Sequence, residues 1–259
     1  MAHTTVNLQS APGHQVLAAA GKKILRPGGQ AATETLFEWA NFQPGETVLE
    51  LASSFGYSAL AIAKRFGVRV VGVEKNPQSV ARARANVQAA GLADKIEIIE
   101  GDIFRLEAIP GQFDYVFAEA ILSMQSAPGK AKILNAIVQK LKPGGKFLSH
   151  ELLARHHEAE IHQALAQEVK MNTTPLSPEN WLAAFSSAGL EVQQHQTGEM
   201  ALLNLRSMIQ DEGLLGTAKI LGNVLTNSQL RQRVLQMRQV FQHYEQDLGY
   251  IVLLASPSS

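Results

Sequence analysis

The sequence predicts an α/β fold: a doubly wound, mostly parallel seven-stranded sheet with helices on both faces. Three observations carry this expectation. Short apolar, β-branched runs alternate with helical patterns through the first half of the chain. The runs Val48-Leu49-Glu50-Leu51 and Val70-Val71-Gly72-Val73-Glu74 lack polar alternation, as strands buried on both faces do. A loop of small residues, Ala52-Ser53-Ser54-Phe55-Gly56, joins the first run to a helical pattern.

The elements follow in order. A short helix is expected around His14–Ala20. Arg26-Pro27-Gly28-Gly29 makes a turn, because Pro fixes φ and Gly tolerates positive φ. Thr33 or Thr35 is the expected cap of a helix running to about Asn41. Pro44-Gly45 then breaks the chain before a strand at Thr47–Leu51. A helix over Ser58–Phe66 and a strand over Arg69–Val73 come next. Pro77 suits the first position of a helix continuing through Ser79–Ala90 and ending at Gly91. Strands are expected at Lys95–Glu100 and Phe113–Ala118, a helix at Ala131–Leu141, and a strand at Lys146–Leu152 after Lys142-Pro143-Gly144-Gly145.

Beyond that strand the pattern predicts a polar helix at His156–Val169, a helix at Trp181–Ala188, and strands at Leu190–His195 and 251–254. Leu230, Val234, Met237, Phe241, Tyr244 and Leu248 recur at helical spacing and form one apolar stripe, with Asn227-Ser228 as its cap. The stripe reads first as packing against the rest of the protein. No internal repeat or low-complexity linker divides the chain. One domain over 1–259 is expected, with an N-terminal helical segment (1–43), a cofactor-binding core (44–152) and a helical insertion (204–248). If the sixth strand is parallel to the others, the insertion emerges over the ligand side of the sheet and forms a lid, with 154–180 as another wall. Its deletion is expected to abolish turnover and largely spare cofactor binding.

Composition narrows the function. The chain has 259 residues, 46% of them hydrophobic, with a formal net charge of zero. Residues 1–150 carry 16 basic and 12 acidic groups, and 151–259 carry 7 and 11, too mild a split for a nucleic-acid surface. Absence of cysteine excludes disulfides, thiolate metal sites and a cysteine nucleophile. The N-terminus shows no signal peptide, and no apolar run approaches a transmembrane length of ~20 residues. A cytoplasmic protein without membrane or nucleic-acid partners is the expectation.

The chemistry concentrates at the strand ends. Small residues after the first strand let a ligand approach the backbone and the N-terminus of the next helix. Glu50 in that strand disfavours a phosphate there and suits a cation or an amine. Glu74, ending the second strand, can accept hydrogen bonds from two ribose hydroxyls. Other motifs fail. His150-Glu151 begins like a zinc-protease helix, but Ala154 stands where the second His belongs. His156, His157 and His162 read as a solvated helix face. No Walker loop, G-x-S-x-G elbow or Tyr/Lys dehydrogenase pair occurs.

The chain resembles the class I S-adenosyl-L-methionine-dependent methyltransferases, which have a Rossmann-like fold. The matching segments are 48–56, Val71-Gly72-Val73-Glu74, Gly101-Asp102, Phe113-Asp114-Tyr115-Val116 and Leu141-Lys142-Pro143-Gly144-Gly145, in the family's order and spacing. The resemblance implies S-adenosyl-L-methionine as cofactor and methyl transfer to a small-molecule acceptor. It implies that Glu50, Leu51, Ala52, Ser53 and Gly56 wrap the methionine moiety, and that Glu74 binds the ribose, with Lys75 beside it in the cofactor site. Asp102 would accept from the adenine amino group, the Ile103 N–H would face the ring, and Glu119 would lie beside the sulfonium. Glu119 and His150 are the candidate catalytic groups, and no metal is expected. Ala52 and Ser54 stand where the family usually has glycine. At negative φ both would be tolerated; at positive φ they would weaken the site. The alternatives are an NAD(P)-dependent oxidoreductase and a non-catalytic binding protein of the same fold.

Overall fold

The computed structural model describes residues 8–258. The expectations for the N-terminal residues 1–7 lie outside them. Seven strands form one sheet: β1 (Thr47–Leu51), β2 (Arg69–Glu74), β3 (Ile96–Glu100), β4 (Phe113–Glu119), β5 (Leu141–Ala154), β6 (Leu190–Glu199) and β7 (Leu248–Pro257). Their order is β3-β2-β1-β4-β5-β7-β6. The first five are parallel, and β7 runs antiparallel to both β5 and β6. β6 is therefore parallel to β5, and its last residues point to the same sheet edge as Glu50, Glu74 and Glu119. Strand order reverses between β1 and β4, where a crevice opens at the carboxyl ends in folds of this kind.

Among the described residues nine α-helices accompany the sheet: α1 (Gly13–Ala20), α2 (Gly29–Ala40), α3 (Tyr57–Phe66), α4 (Pro77–Ala89), α5 (Ala127–Lys140), α6 (Glu158–Gln167), α7 (Pro178–Ser187), α8 (Leu205–Thr226) and α9 (Ser228–His243). Successive strand residues face opposite sides, and both sides are covered. Val48 and Leu148 pack with Leu36, Ile62 and Val80 of α2, α3 and α4. Leu49 and Phe147 pack with Ile133, Trp181 and Phe185 of α5 and α7. A third cluster joins α1, α6, α8 and α9 through Val16, Leu165, Ile220, Leu230 and Met237.

Several boundaries differ from the sequence reading. α5 begins four residues early, at Ala127, with Ser126 accepting from the Gly129 N–H. Pro128 is harmless there, because the first helical N–H groups have no intrahelical partner anyway. α2 starts at Gly29, so Thr33 and Thr35 lie inside it and cap nothing. α6 starts at Glu158, after His157 at φ +54°. β6 extends past His195 through a polar stretch, because pairing with β7 fixes its backbone and leaves its side chains exposed. The stripe on α9 packs inward, as read: Leu230, Met237 and Phe241 are buried. Among the described residues no helix is long and apolar enough to cross a membrane.

Candidate active site

The loop after β1 alternates conformations. Ala52, Ser54 and Gly56 lie at φ +53°, +49° and +76°. The two non-glycine residues thus occupy the left-handed region, where a β-carbon costs roughly 1–2 kcal/mol. Ser53, between them, turns inward. Its N–H donates to the Val73 carbonyl at 3.0 Å, and its hydroxyl donates to the Glu50 carboxylate. Gly72 of β2 makes room, since a β-carbon there would sit 2.7 Å from Ser53 Oγ. The Gly56 N–H closes the loop onto the Ser53 carbonyl at 2.8 Å, and Gly56 caps α3.

Two acids lie at the switch point. Glu50 is buried, and burial pushes its carboxyl up to about 7; the Ser53 hydrogen bond opposes the rise, and the Glu119 charge adds to it. Glu119, the last residue of β4, accepts from Thr33 Oγ1 at 2.5 Å, Ser58 Oγ at 2.9 Å and Arg26 Nε at 2.9 Å. Burial alone would raise this carboxyl, but the Arg26 charge, with the His150 and Thr33 hydrogen bonds, outweighs it and holds the carboxyl at about 2. Arg26 also donates to Thr33 Oγ1 at 2.9 Å and to Ser58 Oγ at 2.5 Å. Two acids of opposite tendency thus share one cation.

His150 is fully buried beside them. Its Nε2 accepts from the Gly28 N–H at 3.0 Å, which leaves the proton on Nδ1, 3.3 Å from Glu119 Oε1. Burial depresses its pKa against the pull of Glu119, so the ring stays neutral. Both ring nitrogens are committed, and Tyr250 packs edge-on against the ring at 5.5 Å. This arrangement ties Gly28 and β7 to β4. It leaves no free lone pair on His150 for a substrate proton.

The neighbouring strand ends complete the edge. Glu74 accepts from the Ser54 and Asn76 N–H groups, each at 2.8 Å and each on a different oxygen. Asp102 follows β3, accepts from Lys75 Nζ at 2.8 Å and from the Phe104 N–H at 3.0 Å, and so caps the 3₁₀ turn that begins at Ile103. The Lys75 hydrogen bond, then the Phe104 N–H, hold its carboxyl below the usual range. Leu51 and Ile103 are buried in the core beneath the edge.

Sequence reasoning missed Arg26, Thr33 and Ser58. They come from the N-terminal turn, α2 and α3, and only the fold brings them to Glu119. The unusual Arg-Pro-Gly-Gly turn was their one visible signal. The three histidines of the 156–162 stretch do not converge: His157 lies 3.6 Å from Asp247, and His162 Nε2 lies 2.6 Å from the Pro175 carbonyl. Among the described residues no group of His, Asp and Glu is placed to hold a metal.

A groove of about 1000 Å³ lies at the same sheet edge, beyond β5 and β6, lined by Arg155, Glu199, Met208, Leu221, Arg238 and Phe241 among others. Neither Glu119 nor His150 lines it. Tyr250 and Gly249 stand between: Tyr250 touches His150, and Arg155 lies against Gly249.

A parallel sheet with a reversal in strand order, acids at three adjacent strand ends and a small-residue loop between two of them is the arrangement of nucleoside-cofactor-binding α/β folds. A family profile described as a methyltransferase domain matches residues 48–145. The chain is 34% identical over 243 residues to an uncharacterized protein of Haemophilus influenzae, covering 93% of this chain and 96% of that one. It is 31% identical over 112 residues to a sterol 24-C-methyltransferase of Pneumocystis carinii, covering 43% of this chain and 29% of that enzyme. The crystal structure of a SAM-dependent methyltransferase from Geobacter sulfurreducens, in complex with S-adenosyl-L-homocysteine, superposes with a TM-score of 0.72 at 18% identity. That match covers 96% of this chain and 99% of the other. The chain carries a methyltransferase domain at residues 48–145, on the fold seen in class I S-adenosyl-L-methionine-dependent methyltransferases.

Proposed function

We propose that this protein transfers a methyl group from S-adenosyl-L-methionine to a small-molecule acceptor by direct displacement. The observation that carries the reading is the acidic edge: Glu50, Glu74 and Asp102 stand at or beside the ends of β1, β2 and β3, around the loop 52–56. The residues present fit a cationic, nucleoside-bearing group. The Glu50–Glu119 pair already faces a half-buried positive charge, that of Arg26. Each Glu74 oxygen makes one backbone hydrogen bond and retains a second lone pair for a ribose hydroxyl.

In this reading the loop from Glu50 to Gly56 holds the methionine end, Glu74 the ribose, and Asp102 with the Ile103 N–H the adenine. Lys75 orients Asp102. The bound sulfonium supplies an activated methyl group, so the protein's main task is alignment. Alignment alone is worth roughly 7–11 kcal/mol. Glu119 and His150 act as positioning residues, because one stays ionised and the other has both nitrogens engaged. Left-handed residues gather at this edge: Ala52, Ser54 and Ala120, at φ +53°, +49° and +53°. Such strain persists where the surrounding structure over-determines a working geometry.

The lid is assigned to α8 and α9, with Arg155 as the contribution of the 154–180 segment; the groove they wall lies beyond Tyr250 and Gly249 from Glu119, so it serves as an approach to the site and not as the place of transfer. The name of the sterol methyltransferase relative favours a small-molecule acceptor. The test supplies the protein with methyl-tritiated S-adenosyl-L-methionine and a cell extract separated into small-molecule, protein and nucleic-acid fractions. Label is expected in the small-molecule fraction. Label confined to protein or nucleic acid would refute the acceptor class, and label in none would refute the activity.

A further inference from the structure

Every large apolar side chain that is exposed among the described residues lies on α8 or α9. α8 breaks at Gly213, φ +73° and ψ 170°, and its second half carries two apolar faces. One face, Thr217, Ile220 and Val224, packs inward against the N-terminal segment. The other, Leu214, Ala218, Leu221 and Leu225, follows the 4-3-4 spacing of a second stripe and points outward. Leu214 is 72% exposed, its neighbour Leu215 89% and Leu225 67%. Leu205 and Ile209, in the first half of the helix, are exposed too.

Beyond Glu212 the charge on the two helices of this face is basic, and acids approach it only at the groove, where Glu199 and Glu245 lie near Arg238. Between Glu212 and Glu245 the chain contains no acid and four basic residues, Lys219, Arg231, Arg233 and Arg238. Arg233 is buried, donating to the carbonyls of Ala11, Glu168 and Val169. The other three are exposed. Arg231 donates to the Leu225 carbonyl at 2.9 Å. Arg238 shares the groove wall with Leu221. Leu235, 49% exposed, sits between Arg231 and Arg238 at helical spacing on α9.

We propose that the α8–α9 hairpin docks on an anionic phospholipid surface, with Leu214, Leu215 and Leu225 entering the headgroup–acyl boundary and Lys219, Arg231 and Arg238 meeting the phosphates. Protruding leucines within a basic rim are the features that hold a helix in the plane of an interface. A second copy of this chain is disfavoured as the occupant. Two-fold pairing of this face would bring Lys219 and Arg231 of the two copies together, and neither helix carries an acid between Glu212 and Glu245 to pair them. Docking is peripheral, and it revises the sequence-based expectation of no membrane partner. It stands apart from the methyl-transfer reading, because it needs neither cofactor nor turnover.

The test is co-sedimentation of the full chain with vesicles of phosphatidylcholine alone and of phosphatidylcholine mixed with phosphatidylglycerol. The protein is expected to bind the mixed vesicles and to be released by salt. Lys219→Gln should weaken binding about fivefold. Leu215→Ser together with Leu225→Ser should weaken it at least about tenfold. All three sites are exposed, and an unchanged melting temperature establishes that the variants are folded. Absence of binding to the mixed vesicles would overturn the proposal, as would binding that ignores the leucine substitutions. So would a dimer in sedimentation equilibrium that those substitutions dissolve, or capture of an acidic protein with no affinity for lipid.

Discussion

Ala52 and Ser54 place β-carbons in a backbone region that glycine enters freely. The loop keeps its shape because Ser53 is tied to Glu50 and Val73, and Glu74 holds the Ser54 N–H. Ala52→Gly and Ser54→Gly should each raise unfolding free energy by about 1 kcal/mol, read by urea denaturation. Unchanged or lower stability would show that these side chains contribute packing worth more than the strain. Glu50 gives a second prediction at this scale. Its carboxyl lies at about 7 in the free protein, so a cationic cofactor beside it favours the ionised form and displaces a proton. Affinity for S-adenosyl-L-methionine should therefore tighten between pH 6 and 8, by at most about tenfold per unit. Titration calorimetry in buffers of different ionisation heat should register the released proton. Glu50→Gln should remove that dependence.

At the scale of elements, the insertion is bound to the N-terminal segment by more than apolar contact. Asp211 is nearly inaccessible, lies 3.2 Å from Lys22 Nζ, and accepts from the Gln30 N–H in the first turn of α2 at 2.8 Å. Glu212 accepts from the N–H groups of Lys23 and Ile24. These bonds hold the segment that delivers Arg26 and Thr33 to Glu119. Removing one partner of a buried ion pair costs about 3–5 kcal/mol, so Asp211→Ala should destabilise the protein by about that amount. Hydrogen exchange should show lost protection at the Gln30 amide. The same packing revises the deletion of 204–248 expected from sequence. That cut would expose Val16, Leu17 and Leu165, which share a cluster with α8 and α9, and so would damage the fold as well as the lid. Point variants are the better probe of the lid.

For the molecule as a whole, the sequence showed most where structure is local. β1 to β4, α3 and α4 were legible to within a residue or two, because unbroken β-branched runs and a Pro at N1 are local signals. The start of β5 was not, because Leu141 pairs with Phe113 across a register shift, and the ends of β6 and β7 were not, because antiparallel pairing set them and His195 to Glu199 has no apolar pattern of its own. Of the candidate site, the placement of Glu50, Glu74 and Asp102 at or beside strand ends was legible. Arg26, Thr33 and Ser58 were not, because three separate elements converge on Glu119 with no fixed spacing. The two stripes of the insertion differ in the same way. The stripe of α9 is buried and that of α8 is exposed, yet periodicity alone cannot say what covers either.

The central claim is that the edge formed by β1, β2 and β3 is the cofactor site, and calorimetric titration with S-adenosyl-L-homocysteine tests it most directly. Wild-type protein is expected to bind one equivalent. Glu74→Ala, which removes the carboxylate assigned to the ribose, is expected to weaken binding at least about tenfold, in line with a charge-assisted hydrogen bond of about 1.5–3 kcal/mol. NAD is expected to give no heat. No binding of S-adenosyl-L-homocysteine by the folded wild-type protein, or unchanged affinity in folded Glu74→Ala, would contradict the account.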